Sequence, residues 1–142
     1  MPCISIIVPV YQAEKLLPPY LQQLARRGGL TVARVTVRDQ RRRWGSCSAR
    51  DGGSISLNWR AVLLPLSLLE HLCWHELCHL RHMDHSPAYR QTLAKVSPDW
   101  KLQERRLTAF WRDLPVWARP CSVPATEKAA GRTALQALGS PV

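Results

Sequence analysis

The sequence predicts an α+β fold, a small antiparallel sheet followed by a run of helices. Three observations carry that expectation. Residues 31–38 and 54–59 alternate apolar and polar side chains on either side of an Asp51-Gly52-Gly53 turn signal. Residues 65–81 repeat apolar side chains at helical spacing, and two later Ser-Pro pairs each mark a helix start.

A chain of 142 residues suits one domain, and a composition 46% hydrophobic and 21% charged excludes a wholly disordered chain. No apolar stretch approaches the roughly 20 residues that span a bilayer, so no membrane partner is expected. The apolar run at 3–10 has no basic residue ahead of it and no A-x-A-like cleavage site behind it. No signal peptide is therefore expected, and the protein is expected in the cytoplasm.

In chain order, residues 3–10 read as a strand that Pro9 restricts to an edge. They fall within an expected N-terminal extension, 1–15, ahead of a domain at 16–118. Residues 13–28 read as an amphipathic helix. Leu17, Leu21 and Leu24 recur at helical spacing, Pro18-Pro19 interrupts the first turn so that regular helix can start there, and Gly28-Gly29 ends the run. In 31–38, Val35 and Val37 share one face while Arg34, Thr36 and Arg38 share the other, as in a half-buried strand. Residues 43–48 could add a short second strand. In 54–59, Ile55 and Leu57 alternate with Ser54, Ser56 and Asn58. The short connections predict two hairpin-linked antiparallel pairings.

The helix at 65–81 places Leu66, Leu69, Cys73, Leu77 and Leu80 on one side. A second helix is expected from Ser86 as N-cap and Pro87 at the first position. A third is expected from Ser97-Pro98, running through Leu102, Leu107 and Trp111. Pro115 and Pro120 end regular structure, and 119–142, rich in Ala, Gly, Pro and Ser, is expected to form a mobile tail.

Net charge is +10, and much of the excess lies between Arg26 and Arg60, where nine arginines face only Asp39 and Asp51. Such a stretch suits nucleic acid, nucleotide phosphates, an acidic protein, or simply a solvated basic face. Five cysteines at irregular spacing do not form a disulfide framework, and Cys73 and Cys78 read as small buried hydrophobes.

The chemistry lies in His75-Glu76-Leu77-Cys78-His79, an H-E-x-x-H motif inside the strongest helix. One turn separates the histidines, so both imidazoles can meet one zinc ion. Glu76 is offset by about 100° around the helix, so it would flank the ion and take a proton from a water there. A catalytic zinc usually takes a third protein ligand. His82 would lie about 10 Å from His75 along a straight helix. His85 follows a break and can swing back, so it is the preferred third ligand. His82 then reads as exposed or supporting, and His71, a weaker ligand candidate one turn before His75, as a surface residue.

Arg43-Trp44-Gly45-Ser46-Cys47-Ser48, Ile55-Ser56-Leu57-Asn58-Trp59-Arg60, the H-E-x-x-H helix and His85-Ser86-Pro87 occur in this order. Together they resemble YgjP-like metal-dependent hydrolases, which are zincin-type and metallopeptidase-like. The resemblance implies zinc at His75, His79 and His85, Glu76 as catalytic base, and a small antiparallel sheet packed beside the active-site helix. The chain departs from that pattern in a shorter N-terminal β region, in Asp84 before the third histidine, and in Tyr89-Arg90 after it.

In such a site the 54–58 strand could be an edge that pairs with an extended substrate, with Ser56 and Asn58 beside it. Arg43 could stabilise an oxyanion. The expected function is a zinc-dependent metallopeptidase acting on a peptide or protein. The alternatives are a metal-dependent nucleotide phosphohydrolase and a nucleic-acid-associated, SprT-like protease or binding module. Oligomeric state has no signature in the sequence.

Overall fold

The structure is a computed structural model and describes residues 3–120, with side chains from residue 9 onward. It is α+β. Helix α1 (Cys3–Arg27) precedes three strands, β1 (Arg34–Arg38), β2 (Gly45–Ser48) and β3 (Ser54–Asn58). Helices α2 (Leu66–Cys78), α3 (Pro87–Val96) and α4 (Trp100–Asp113) follow. Among the described residues, no helix is long and apolar enough to cross a membrane. From residue 121 on, the expected tail lies outside the described residues.

The strand expected at 3–10 is instead the start of α1, which also runs through Pro9, Pro18 and Pro19. The helical face outweighs the local β propensity. Ala13, Leu17, Leu21 and Leu24 form one fully buried stripe, and Val10 continues it toward the N-terminus. Each buried leucine contributes roughly 1.5–3 kcal/mol. The helix ends as the two glycines predict. Gly29 takes φ 67°, and the Leu30 amide returns to the Ala25 carbonyl at 2.8 Å.

The sheet is mixed rather than antiparallel, in the order β1-β3-β2. Strand β3 pairs parallel with β1 (Val35 opposite Ile55, Val37 opposite Leu57) and antiparallel with β2 (Gly45 opposite Leu57, Ser46 opposite Ser56). Burial explains the order. Ile55 and Leu57 are fully buried, whereas Val35, Val37 and Cys47 are only partly so; the most apolar strand takes the centre. The β1–β2 link is not a tight turn. Its Trp44 is buried, donates from Nε1 to the Leu107 carbonyl (2.9 Å) and packs on Trp111 at 4.6 Å. Both sides of β3 are therefore paired, which overturns the expectation that 54–58 is a free edge.

Asn58 fixes that link from β3. Its Nδ2 donates to the Gln40 carbonyl (2.6 Å) and the Arg43 carbonyl (3.0 Å), and its Oδ1 accepts from the Arg60 amide. Arg60 is buried, bonds Asp39 at 2.7 Å, and donates from Nε to the Ala118 carbonyl.

Helix α2 is buried all round in its second half, from His71 to Cys78, whereas Leu66, expected on its apolar side, is exposed. Ser86 caps α3 as expected, its hydroxyl accepting from the Tyr89 amide. Helix α4 starts two residues later than Ser97-Pro98 suggests, because Ser97 closes α3 instead: its amide returns to Leu93 at 2.8 Å. The buried face of α4 is Gln103 and Leu107, and Leu102 is exposed. Cys47, Cys73 and Cys78 are free thiols, and the last two are buried as expected.

Candidate metal centre

The buried C-terminal half of α2 carries His75, and His79, the residue that caps the helix, follows one turn on, with ring centroids separated by 5.1 Å. The helix must stop there for a third ring to join them. It ends at Cys78, a tight turn follows to His82, and the chain reverses before Ser86 caps α3. That reversal returns His85, whose ring lies 5.6 Å from His75 and 4.7 Å from His79. One ring nitrogen from each of the three histidines lies within 4.8 Å of the others.

Hydrogen bonds orient two of the rings. His75 Nδ1 meets Glu104 Oε1 at 2.6 Å, and His79 Nδ1 meets the His82 carbonyl at 3.0 Å. Each Nδ1 faces an acceptor and therefore carries the proton in the neutral ring, leaving Nε2 with a free lone pair. Tyr89 stacks on the His79 ring at 4.5 Å and donates its hydroxyl to the backbone carbonyl of His75.

Burial lowers His79 to about 4, with the His82 carbonyl partly opposing it. His85 is also lowered, by burial first and then by the charge of His75. For His75, burial pushes down, but the Glu104 hydrogen bond and the Glu76 and Glu104 charges outweigh it, and the ring is raised. Burial pushes the Cys47 and Cys78 thiols up to about 12 and about 11, so neither offers a thiolate near neutral pH. Three imidazoles, two with a fixed tautomer, fit a first-row divalent ion such as Zn2+.

Glu76 is 3% exposed and lies against β2. A Cβ at Gly45 would stand 2.9 Å from Glu76 Oε2 and 3.0 Å from the Ser56 carbonyl oxygen, so any side chain there would push the carboxylate aside. Burial pushes Glu76 up to about 7; His75 and Arg43 pull it back, and Glu104 pushes it further up.

The other expected residues fall elsewhere. Arg43 is half-buried and near enough to Glu76 for its charge to be felt. Ser56 points to the sheet face opposite Ile55 and Leu57, where its hydroxyl bonds Thr36 at 2.9 Å. Asn58 is fully buried and committed to the β1–β2 link and Arg60, so it does not join the histidines. His82 contributes its carbonyl, in line with a supporting role. His71 is not a surface residue; it is 2% exposed and bonded to Ser97 and Glu104. Sequence reasoning missed Tyr89 and Glu104, and it took Gly45 only as one of three residues, 43–45, that shape a cleft. Gly45 lies inside the 43–48 motif and Tyr89 just beyond His85-Ser86-Pro87, neither with a local sign of its contact, and Glu104 has no local sign at all.

A family model described as a YgjP-like metallopeptidase domain matches residues 10–110. The chain belongs to the YgjP-like family. No curated protein and no solved structure gives a significant match. Membership supports a hydrolase that uses a metal, and the histidine cluster is a group that could hold such an ion. The match also covers β2 and both sides of the α2–α3 reversal, the segments that build the cluster.

Proposed function

We propose that this YgjP-like domain is a zinc-dependent peptidase with Glu76 as its base. The observation that carries the reading is the convergence of His75, His79 and His85 within 4.8 Å, beside a buried carboxylate. A zinc ion held by these three rings would polarise a substrate carbonyl and acidify a water. Glu76 would accept that water's proton on a carboxylate oxygen and deliver it to the departing amine.

An extended peptide has a place to lie on β2, an edge strand that pairs only with β3 among the described residues. The Asn58 amide bonds the Trp44 carbonyl, so the alternation of an antiparallel ladder turns the amides of Gly45 and Cys47 toward the open side. These groups lie next to Glu76 and can hold a substrate backbone by strand addition. Phosphate chemistry would want several cations around the base; among the described residues Arg43 is the arginine whose charge lowers Glu76. Peptide is therefore the favoured substrate class.

The test is metal analysis of the purified protein followed by a broad peptide library, with nucleoside triphosphates alongside. One zinc per chain and Glu76-dependent peptide cleavage are expected. Phosphate release from a nucleotide with no peptide cut would overturn the reading.

Two variants probe the geometry. Gly45→Ala should keep full zinc content yet lower peptide turnover on the order of 100-fold, because the added methyl displaces Glu76. Cys47→Pro removes an outward-facing amide without breaking the β3 ladder. It should lower peptide turnover roughly tenfold and leave zinc content unchanged, as compared by kcat/KM and metal analysis.

A further inference from the structure

Behind His75, on the side away from the ligand nitrogen, stands a carboxylate from a different helix. Glu104 lies on α4, and its Oε1 meets two rings of α2: His75 Nδ1 at 2.6 Å and His71 Nε2 at 3.1 Å. His71 and His75 are one turn apart, so one oxygen on the facing helix can reach both. The second nitrogen of His71 meets Ser97 Oγ at 2.9 Å. His71, His75 and Ser97 are each at most 7% exposed, and the Glu104 side chain is 21% exposed.

We infer that Glu104, braced by His71 and Ser97, is a positioning residue that sets the tautomer and aim of His75 as a metal ligand. The inference rests on the metal centre proposed above. A neutral imidazole has one N–H, and its acceptor decides which nitrogen keeps a lone pair. An anionic acceptor also makes the ring a stronger donor to the ion. His79 has a neutral carbonyl in the same place, so the two ligands of α2 are supported unequally. The bond from His71 fixes the carboxylate from a second direction, and the bond to Ser97 fixes the His71 ring. The contacts form one line across the α2–α4 interface, Ser97 to His71 to Glu104 to His75.

Glu104, His71 and His75 also lie close enough together to take an ion of their own. The short contacts at Oε1 favour hydrogen bonds over that use, and stoichiometry separates the two.

The experiment measures Zn2+ dissociation constants by chelator competition, with metal stoichiometry and thermal unfolding of each metal-free protein. Glu104→Ala should weaken zinc 10–100-fold. Glu104→Gln keeps an acceptor but loses the charge, and should fall between Ala and the parent. It also serves if the alanine variant fails to fold. In the zinc-loaded parent, NMR should show a downfield His75 Nδ1 proton that Glu104→Ala abolishes, a signature that loss of packing alone would not give. Zinc affinity within twofold of the parent in Glu104→Gln, with the Nδ1 proton unmoved, would overturn the inference. Two ions per chain in the parent, one of them lost with Glu104, would overturn it in favour of a second metal site. Failure of the metal centre itself reads differently: His75→Ala would then bind zinc as tightly as the parent.

Discussion

Replacing His79 with alanine should leave a protein that no longer holds stoichiometric zinc. Three rings converge on one point, and two of them, on the last turn of α2 and at its C-cap, have fixed tautomers. Removing one leaves two ligands, one fewer than a catalytic zinc site normally offers. His75→Ala should act alike, and His85→Ala should weaken zinc far more than His82→Ala, because His82 contributes a carbonyl that any residue supplies. The loss should extend to stability. An ion that binds only the folded chain contributes about 2.7 kcal/mol at a hundredfold excess over its Kd. Chelation should therefore lower the unfolding temperature of the parent and leave the His79 variant unmoved. Metal analysis and paired thermal scans, with and without chelator, check both statements. Full zinc content in the His75→Ala, His79→Ala double variant would refute the site.

Glu76→Gln should behave in the opposite way, keeping zinc and losing chemistry. Glutamine matches glutamate in shape, so it should still fit against Gly45. Its amide cannot take a proton from water, and general base catalysis is typically worth 10²–10⁴-fold. A fall in kcat of about that size, at unchanged zinc content, is the expected result. Turnover equal to the parent would exclude Glu76 as the base. Zinc loss would instead give it a ligand role, which the convergence of three histidines does not require.

What could be read in advance follows the range of each interaction along the chain. The α2 motif and the Ser86-Pro87 cap are local signals, and both stand where the sequence placed them. Alternation in β1 and β3 identified which side chains face inward, but it says nothing about which strand lies beside which. Hence the sheet was α+β in class yet mixed in pairing, with β3 inside rather than at an edge. At the N-terminus a β-branched run competed with a helical stripe ending at Leu24, and the longer pattern prevailed. His71 read as a surface residue because nothing near it in sequence reveals that α4 covers that side of α2. Glu104 stayed invisible for the same reason. The need for glycine at position 45 arises only once a distant carboxylate arrives beside it.

The sheet order also constrains how the molecule comes together. Strands β1 and β2 are made first but never bond each other, and the strand that joins them is made last. Neither has its ladder until residues 54–58 slide between them. Asn58 clasps the 39–44 link in the same event, since its partners are the carbonyls of Gln40 and Arg43. Two residues further on, Arg60 reaches the Ala118 carbonyl, so closure of the centre also tethers the last of the described residues. Assembly is thus gated by one short insertion. A chain halted before it bears two unsatisfied strand edges, the surfaces most prone to wrong pairing during synthesis.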